Sequence, residues 1–308
     1  MQTRKIIVAV AAILLLAAGA VQADTIPRTI THGSTTINMD FVTVGNAGNT
    51  ADGTGYGAVS YDYKIGKYEV TAAQWAAVIA ADSGVGNAGY WTGSQPTAGT
   101  SWNEAAKFCN WLTTGSATSG YYTISDGVAS IPEGVSHNVY AAAYGTTYFI
   151  PTEDEWYKAA YHKNNGVTGG AANYWDYPTG SDSVPSNDLI TPDGGNNANF
   201  LQSGYTIGAP NYVTPVGEFE NSDSPYGTFD QGGNVWEWNE ALVSGSYRGL
   251  RGASYYDTGD NLASYNGSYN DPYFAYNSFG FRVAEVPEPA TLSLLALGVL
   301  AVIRRRRI

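Results

Sequence analysis

Sulfur and imidazole groups are scarce in this sequence of 308 residues. It contains one cysteine, Cys109, and three histidines, His32, His137 and His162. A single thiol excludes an internal disulfide, so a packed core has to hold the domain together. Cys109 falls on the apolar side of a predicted helix, and we expect it to be buried and unreactive. The histidines are scattered and lack the spacing of a zinc site.

Basic residues are also few. There are 15 lysines and arginines against 27 aspartates and glutamates, which gives a net charge of −12. Six of the 15 basic residues lie before Asp24 or after Pro289, which leaves nine against the 27 acidic ones and a charge near −18 between these points. Such a polyanion is a poor partner for nucleic acid. Cations or neutral polar ligands suit it better.

Two uncharged apolar runs lie near the ends of the chain. At the N-terminus, Arg4 and Lys5 precede an apolar run over residues 6–18, and Val21-Gln22-Ala23 follows as a small-residue cleavage pattern. This order predicts a secretory signal over residues 1–23 that signal peptidase removes. The alternative, a buried N-terminal helix, would need polar residues on one face, and the run has none. The folded domain is then predicted over residues 24–285.

At the C-terminus, Pro287, Glu288 and Pro289 precede an apolar stretch over residues 290–303 and four arginines at 304–307. This order resembles the PEP-CTERM sorting signal of Gram-negative bacteria, predicted here over residues 286–308. The resemblance implies export through the inner membrane, cleavage by an exosortase-type enzyme, and delivery to the cell surface or extracellular matrix. As a helix the stretch would span about 21 Å, against a hydrocarbon core of roughly 30 Å. It would engage the membrane at least transiently, and an ordinary C-terminal anchor is the alternative.

The pattern between the two ends predicts an α+β domain with few, short helices and strands and long loops. A hydroxyl residue followed three positions later by Gln or Glu starts an amphipathic pattern at Thr71, Ser101 and Thr152. The helices are predicted over residues 72–81, 102–112 and 153–162. Strands are predicted near residues 37–41, 59–65, 147–150, 213–217, 247–253 and 280–284. Long loops, often functional, are predicted over residues 82–98, 113–145 and 163–198.

Six short segments carry a recognisable set of motifs. They are residues 68–71, 101–112, 151–156, 233–238, 251–254 and 280–283. Together and in this order they resemble the formylglycine-generating enzyme, or sulfatase-modifying factor, family. The resemblance implies an elaborated relative of the C-type lectin fold. It spans residues 60 to 284, which is most of the predicted domain.

The family's enzymes hold copper(I) with two cysteines that follow the segment matched here by residues 251–254. Asp257 and Leu262 stand about where those thiols belong. Copper(I) needs soft sulfur ligands, which neither a carboxylate nor an alkyl group replaces. Copper binding and the family's oxidase reaction are therefore not expected in this chain. Fold resemblance alone does not carry the chemistry.

The resemblance also implies a calcium site. Its ligands would be the side chains of Asp230 and Glu237 and the main-chain carbonyls of Gly233 and Val235. Hard oxygen donors of both kinds suit Ca²⁺. In the alternative, Asp230 closes a turn and Glu237 is paired with another side chain.

The stretch from Ser246 to Ser278 is dense in Tyr, Asn, Ser and Asp, a mixture typical of binding surfaces. Related lectin-like domains display binding residues in the same part of the fold. The predicted ligand-binding surface consists of Tyr255, Tyr256, Asp257, Asp260, Asn261, Tyr265, Asn266, Tyr269 and Tyr273. Its ligand would be a glycan or a protein. An idle surface loop is the alternative, although exposed aromatic side chains often mark an interaction site.

These observations favour an exported, non-catalytic binding or structural module with a formylglycine-generating-enzyme-like domain. Two alternatives remain open. One is an oxidoreductase of divergent mechanism that uses a different metal. The other is an accessory factor for an exported sulfatase.

Overall fold

The computed structural model describes residues 24–166 and 173–287. Its α-helices are α1 (Ala72–Ala81), α2 (Trp102–Thr114), α3 (His137–Tyr144) and α4 (Glu153–Tyr161). Its strands are β1 (Ile26–His32), β2 (Thr35–Val44), β3 (Tyr63–Gly66), β4 (Thr123–Ser125), β5 (Val128–Ser130), β6 (Thr147–Phe149), β7 (Trp236–Val243), β8 (Tyr247–Arg251), β9 (Ser268–Asn270), β10 (Phe279–Gly280) and β11 (Ala284–Val286). The predicted signal and most of the predicted sorting tail lie outside these residues.

The first sheet joins the two ends of the domain. Its strand order is β1-β2-β3-β11-β6, and all neighbouring pairs are antiparallel. On β2, Ile37, Met39 and Phe41 are buried while the residues between them are exposed, so the predicted alternation is confirmed. On β11, the fully buried Glu285 pairs with Arg28 of β1 and Lys64 of β3 at 2.7 Å each. The last strand is therefore held inside the sheet by pairing and by charge.

The second sheet has the order β10-β7-β8-β9, with β10 parallel to β7. Arg282, just after β10, is fully buried and pairs with Glu237 of β7 through Nη2–Oε1 at 2.5 Å and Nε–Oε2 at 2.6 Å. The same guanidinium donates to the main-chain oxygen of Gly66, at the end of β3. One buried side chain thus connects the two sheets.

Three of the helices start with the capping box that the sequence predicts. The side chains of Thr71, Ser101 and Thr152 accept from the third helical N–H, and the Gln or Glu at that position accepts from the cap N–H. Helix α2 buries most of its residues, among them Cys109. Cys109 is buried as expected, and burial raises the pKa of its thiol well above the usual value, which favours an unreactive thiol.

The structure departs from the predicted elements in several places. Strands β1, β4, β5 and β9 were not predicted, and the strand predicted near residues 280–284 is two strands, β10 and β11. Residues 213–217 form no strand, because the N–H of Thr214 donates to the side chain of Asn234 instead of a neighbouring strand. Helix α3 lies inside a predicted loop, and its cap residue Ser136 makes no side-chain capping bond. Strand β7 was not predicted, because its first five residues are all buried and show no alternation.

Candidate functional site

The chain turns sharply after β8, where the family resemblance places the reaction centre. Gly252 has φ +95°, and a Cβ on it would lie 2.6 Å from the main-chain oxygen of Gln231. Any side chain there would therefore be strained and would clash with the backbone. The turn brings Ser254 against Asp257, so that Ser254 Oγ and N donate to Asp257 Oδ2 at 2.5 Å and 3.0 Å.

Asp257 is part of the folded framework and not a free surface ligand. Its Oδ2 also accepts from Trp236 Nε1 at 2.8 Å. Burial raises the pKa of Asp257, whereas the hydrogen bonds from Ser254 and Trp236 favour its ionised form. The site therefore presents a half-buried carboxylate that is already bonded on one oxygen.

Leu262, about where the resemblance places the second thiol, is fully buried in a single 3-10 turn, Gly259–Leu262. An alkyl group and a hydrogen-bonded carboxylate offer no soft ligand for copper(I). Among residues 24–166 and 173–287, no group of three or more His, Cys, Asp or Glu side chains is arranged to hold a metal ion.

Three of the four predicted calcium donors lie in one turn that leads into β7, and the fourth, Glu237, lies on β7 itself. Asp230 has φ +59°, and its Oδ2 accepts from the N–H of Gly217 at 2.6 Å. Burial raises the pKa of Asp230 to about 6. Further along the turn, the N–H of Gly233 donates to the carbonyl of Gly252, and the N–H of Val235 donates to Glu69.

Glu237 is the weakest member of this donor set. Arg282 holds both of its oxygens, and Trp156 Nε1 donates to Oε2 at 2.6 Å. Ca²⁺ would have to displace a buried guanidinium to reach this carboxylate, so the donors as arranged do not fit the ion. Calcium binding stays a prediction for metal analysis to test.

Five aromatic side chains from three loops form one cluster, which we call the aromatic platform: Trp91, Tyr205, Tyr212, Tyr255 and Tyr256. The rings of Tyr212 and Tyr255 stack at a centroid distance of 5.4 Å. Tyr205 lies 5.1 Å from Tyr212, Tyr256 lies 5.3 Å from Tyr255, and Trp91 lies 6.3 Å from Tyr255. Such edge and offset contacts add to the energy of burial, so the rings support each other.

The platform combines a buried base with an exposed rim. Tyr255 is only 5% exposed, and its hydroxyl accepts from Asn277 at 3.0 Å. Tyr205 and Tyr256 are 47% and 44% exposed. The indole N–H of Trp91 is buried and has no hydrogen-bond partner among the described residues. The rim thus offers aromatic surface that the fold has already ordered.

The other predicted surface residues lie outside this platform. Asp260 and Asn261 lie in the 3-10 turn, and Asn266 donates to the main-chain oxygen of Asp260. Tyr265 is exposed. Tyr269, also exposed, lies on the edge strand β9 with its ring 5.7 Å from that of Tyr247. Tyr273 is exposed in the turn after β9. The structure brings only Tyr255 and Tyr256 of the predicted surface into the platform, with Asp257 beside them.

Sequence reasoning missed Trp91, Tyr205 and Tyr212. They lie in long loops that are far from Tyr255 along the chain, and no periodic pattern marks them. Their only signal is a large aromatic side chain inside a polar loop, where exposed aromatics need a reason.

Comparison with known protein families shows which family the chain belongs to. The family model described as "Sulfatase-modifying factor enzyme 1-like domain" matches residues 27–286. The chain belongs to this family. A second model, described as "PEP-CTERM protein-sorting motif", matches residues 285–307 of the sulfatase-modifying-factor-like chain. Both resemblances drawn from the sequence are confirmed.

Two known proteins are similar to parts of this chain. The domain is 32% identical over 148 residues to "Inactive C-alpha-formylglycine-generating enzyme 2" of Bos taurus, covering 44% of this chain and 43% of that one. It is 27% identical to "Chaperone protein LppX" of Paenibacillus barcinonensis, covering 68% and 73%. The chain therefore spans less than half the length of the bovine relative.

Among solved structures, the "Crystal Structure of CarF" superposes with a TM-score of 0.55 at 25% identity, covering 82% of this chain and 99% of that one. This superposition, together with the few helices and curled sheets, confirms the predicted α+β, formylglycine-generating-enzyme-like fold.

Proposed function

We propose that this sulfatase-modifying-factor-like domain is a non-catalytic binding module that uses the aromatic platform to hold a glycan or a protein segment. The observation that carries the proposal is the platform itself, a set of ordered and partly exposed rings beside Asp257. Tyrosine supplies rigid contact area with a polar tip at low entropic cost. A ligand would cover aromatic surface that water now solvates.

The reaction centre supports a non-catalytic role. By the family resemblance, Asp257 and Leu262 stand about where the two thiols belong, and neither a carboxylate nor an alkyl group suits copper(I). The bovine relative carries the word "inactive" in its name. These two observations favour binding or a structural role over oxidation.

The sorting motif supports an extracytoplasmic location for the domain. A match to the PEP-CTERM motif implies processing by an exosortase-type enzyme. We therefore place the domain outside the inner membrane of a Gram-negative cell, at the surface or in the matrix, with signal peptidase acting at the other end. The tail would contact the membrane at least transiently. No helix within residues 24–166 and 173–287 is long and apolar enough to cross a membrane.

Glycan and peptide arrays probed with the purified domain test the proposal. The exposed rim residues Tyr205 and Tyr256 are replaced together by alanine, which leaves no cavity in the core. The matched control is Tyr144→Ala on α3, a tyrosine that is 73% exposed and lies outside the platform. We expect the wild type and the control to bind the same array members. We expect the double variant to bind them with at least ten-fold lower affinity. Blank arrays with folded protein, or equal binding by all three, would refute it.

Metal analysis and co-purification address the two alternatives. Stoichiometric copper or iron in the purified domain would favour a divergent oxidoreductase, whereas calcium or no metal favours the module. The accessory role draws on the relative that is named a chaperone. It requires that an exported sulfatase co-purify with this chain.

A further inference from the structure

A second concave site lies apart from the platform, where the N-terminus of α3 and the loop before it face β7. It is an open pocket of about 360 Å³. Its lining includes Tyr61, Tyr121, Ile131, Val135, His137 and Glu240. Its volume is in the range of small-molecule sites, which are mostly apolar with a few placed polar groups.

His137 and Glu240, two members of a buried ionic triad, form the floor of this pocket. His137 Nδ1 lies 2.9 Å from Glu155 Oε2, and His137 Nε2 lies 3.1 Å from Glu240 Oε2. Burial by itself would lower the pKa of His137, but the two carboxylates outweigh it and raise the pKa to about 10. One imidazolium therefore faces two carboxyl groups.

Glu240 is the carboxylate of this triad that lines the pocket. Its Oε1 accepts from the hydroxyl of Tyr122 at 2.6 Å, and its Oε2 faces His137. An ionised carboxylate has about four acceptor positions, so Glu240 retains capacity for a further donor. Arg248 donates to the main-chain oxygen of Glu240, and its guanidinium lies 3.9 Å from the centre of the Trp102 ring.

The walls of the pocket complement this floor. Tyr61 and Tyr121 supply aromatic rings, and Ile131 and Val135 supply aliphatic surface. The hydroxyl of Tyr61 donates to Glu155 at 2.7 Å and that of Tyr121 to the main-chain oxygen of Val135 at 3.0 Å, so both rings are fixed. A desolvated carboxylate attracts the charge of an organic cation, and aromatic rings attract both that charge and the apolar substituents.

We propose that this pocket binds a small alkylammonium ion, with the cationic head toward Glu240 and its alkyl groups against Tyr61 and Tyr121. A neutral molecule of the same shape would gain the apolar contacts and lose the charge–charge and cation–π attraction. The proposal is independent of the platform, because none of the five platform residues lines the pocket.

Isothermal titration calorimetry with choline and with its neutral isostere 3,3-dimethylbutan-1-ol measures the charge preference directly. We expect choline to bind at one site at least ten-fold more tightly than the alcohol, at an ionic strength that screens the acidic surface. Equal affinities, or no heat from choline at millimolar concentration, would overturn the proposal.

Two variants locate the site. Val135→Lys places a tethered ammonium at the half-buried rim, and we expect it to weaken choline binding at least ten-fold. The matched control is Val139→Lys, the same change at an exposed position of α3, which should bind as wild type does. Glu240→Gln should remove the preference for choline over the alcohol. Unchanged binding by Val135→Lys would place choline elsewhere and refute the assignment, even if Glu240→Gln does not fold.

Discussion

Replacing His137 by glutamine removes the cation between two buried carboxylates. His137 lies on α3, Glu155 on α4 and Glu240 on β7, so the imidazolium joins three elements. Its pKa rises from 6.5 to about 10, which corresponds to about 5 kcal/mol of interaction as an upper bound. Removing one partner from a buried ion pair costs about 3–5 kcal/mol. We therefore expect His137→Gln to lower the free energy of unfolding by about 3–5 kcal/mol at pH 6.

The loss should depend on pH in a defined direction. Because the folded pKa of His137 lies above the unfolded value of 6.5, its stabilisation is fully present below that value and is lost as the pH rises toward about 10. The wild type should lose up to about 1.4 kcal/mol per pH unit relative to the variant within this window. Burial by itself would raise the pKa of Glu155, but its interactions with His137, Tyr61 and the N–H of Thr152 together lower that pKa. The stabilisation from Glu155 is therefore present above about 4.5 and lost in acid.

Urea unfolding followed by tryptophan fluorescence, at pH 6, 8 and 10, measures this difference. The control is His32→Gln, since His32 is half-exposed and its Nε2 lies 3.0 Å from the carbonyl of Leu112. We expect this control to cost less than about 1.5 kcal/mol, the net value of one hydrogen bond. A His137→Gln loss below about 1 kcal/mol at pH 6, or one that is constant from pH 6 to 10, would refute the reasoning.

Three further predictions concern the buried core and the oxidase reaction of the family. Arg282→Met should lower the free energy of unfolding, measured in urea, by about 3–5 kcal/mol. Arg28→Met should lower it by only about 1 kcal/mol, because Lys64 still pairs with Glu285. Similar losses for the two variants would contradict this ranking. Cys109 should resist iodoacetamide in the native protein and react in urea, as mass spectrometry can show, since burial raises its pKa; native labelling would disprove it. Incubation with copper(I) and a cysteine-containing peptide should yield no aldehyde in a hydrazide assay, and an aldehyde would disprove the non-catalytic role.

Local signals predicted much of the fold. The capping boxes at Thr71, Ser101 and Thr152 depend on residues three positions apart, so each can be read from the sequence. The alternation on β2 is equally local. Strand β7 and helix α3 escaped prediction, because one is buried on both faces and the other lacks a capping bond.

The candidate site was likewise only partly predictable from local sequence. The lack of cysteine near Asp257 and Leu262, about where the resemblance places the family's two thiols, was visible in the sequence. The bonds from Trp236 and Ser254 that hold Asp257 in place were not visible.

By itself, the sequence determined the family, the fold class, the sorting motif and the presence of a single cysteine, since each depends on residue identity and short spacing. Only the tertiary structure decided that Trp91 and Tyr212 support Tyr255, and that His137 bridges Glu155 and Glu240. The ring of Trp91 and that of Tyr255 come from loops more than 160 residues apart in the numbering. Contacts at such separation are set by how sheets and loops pack, which no local pattern encodes.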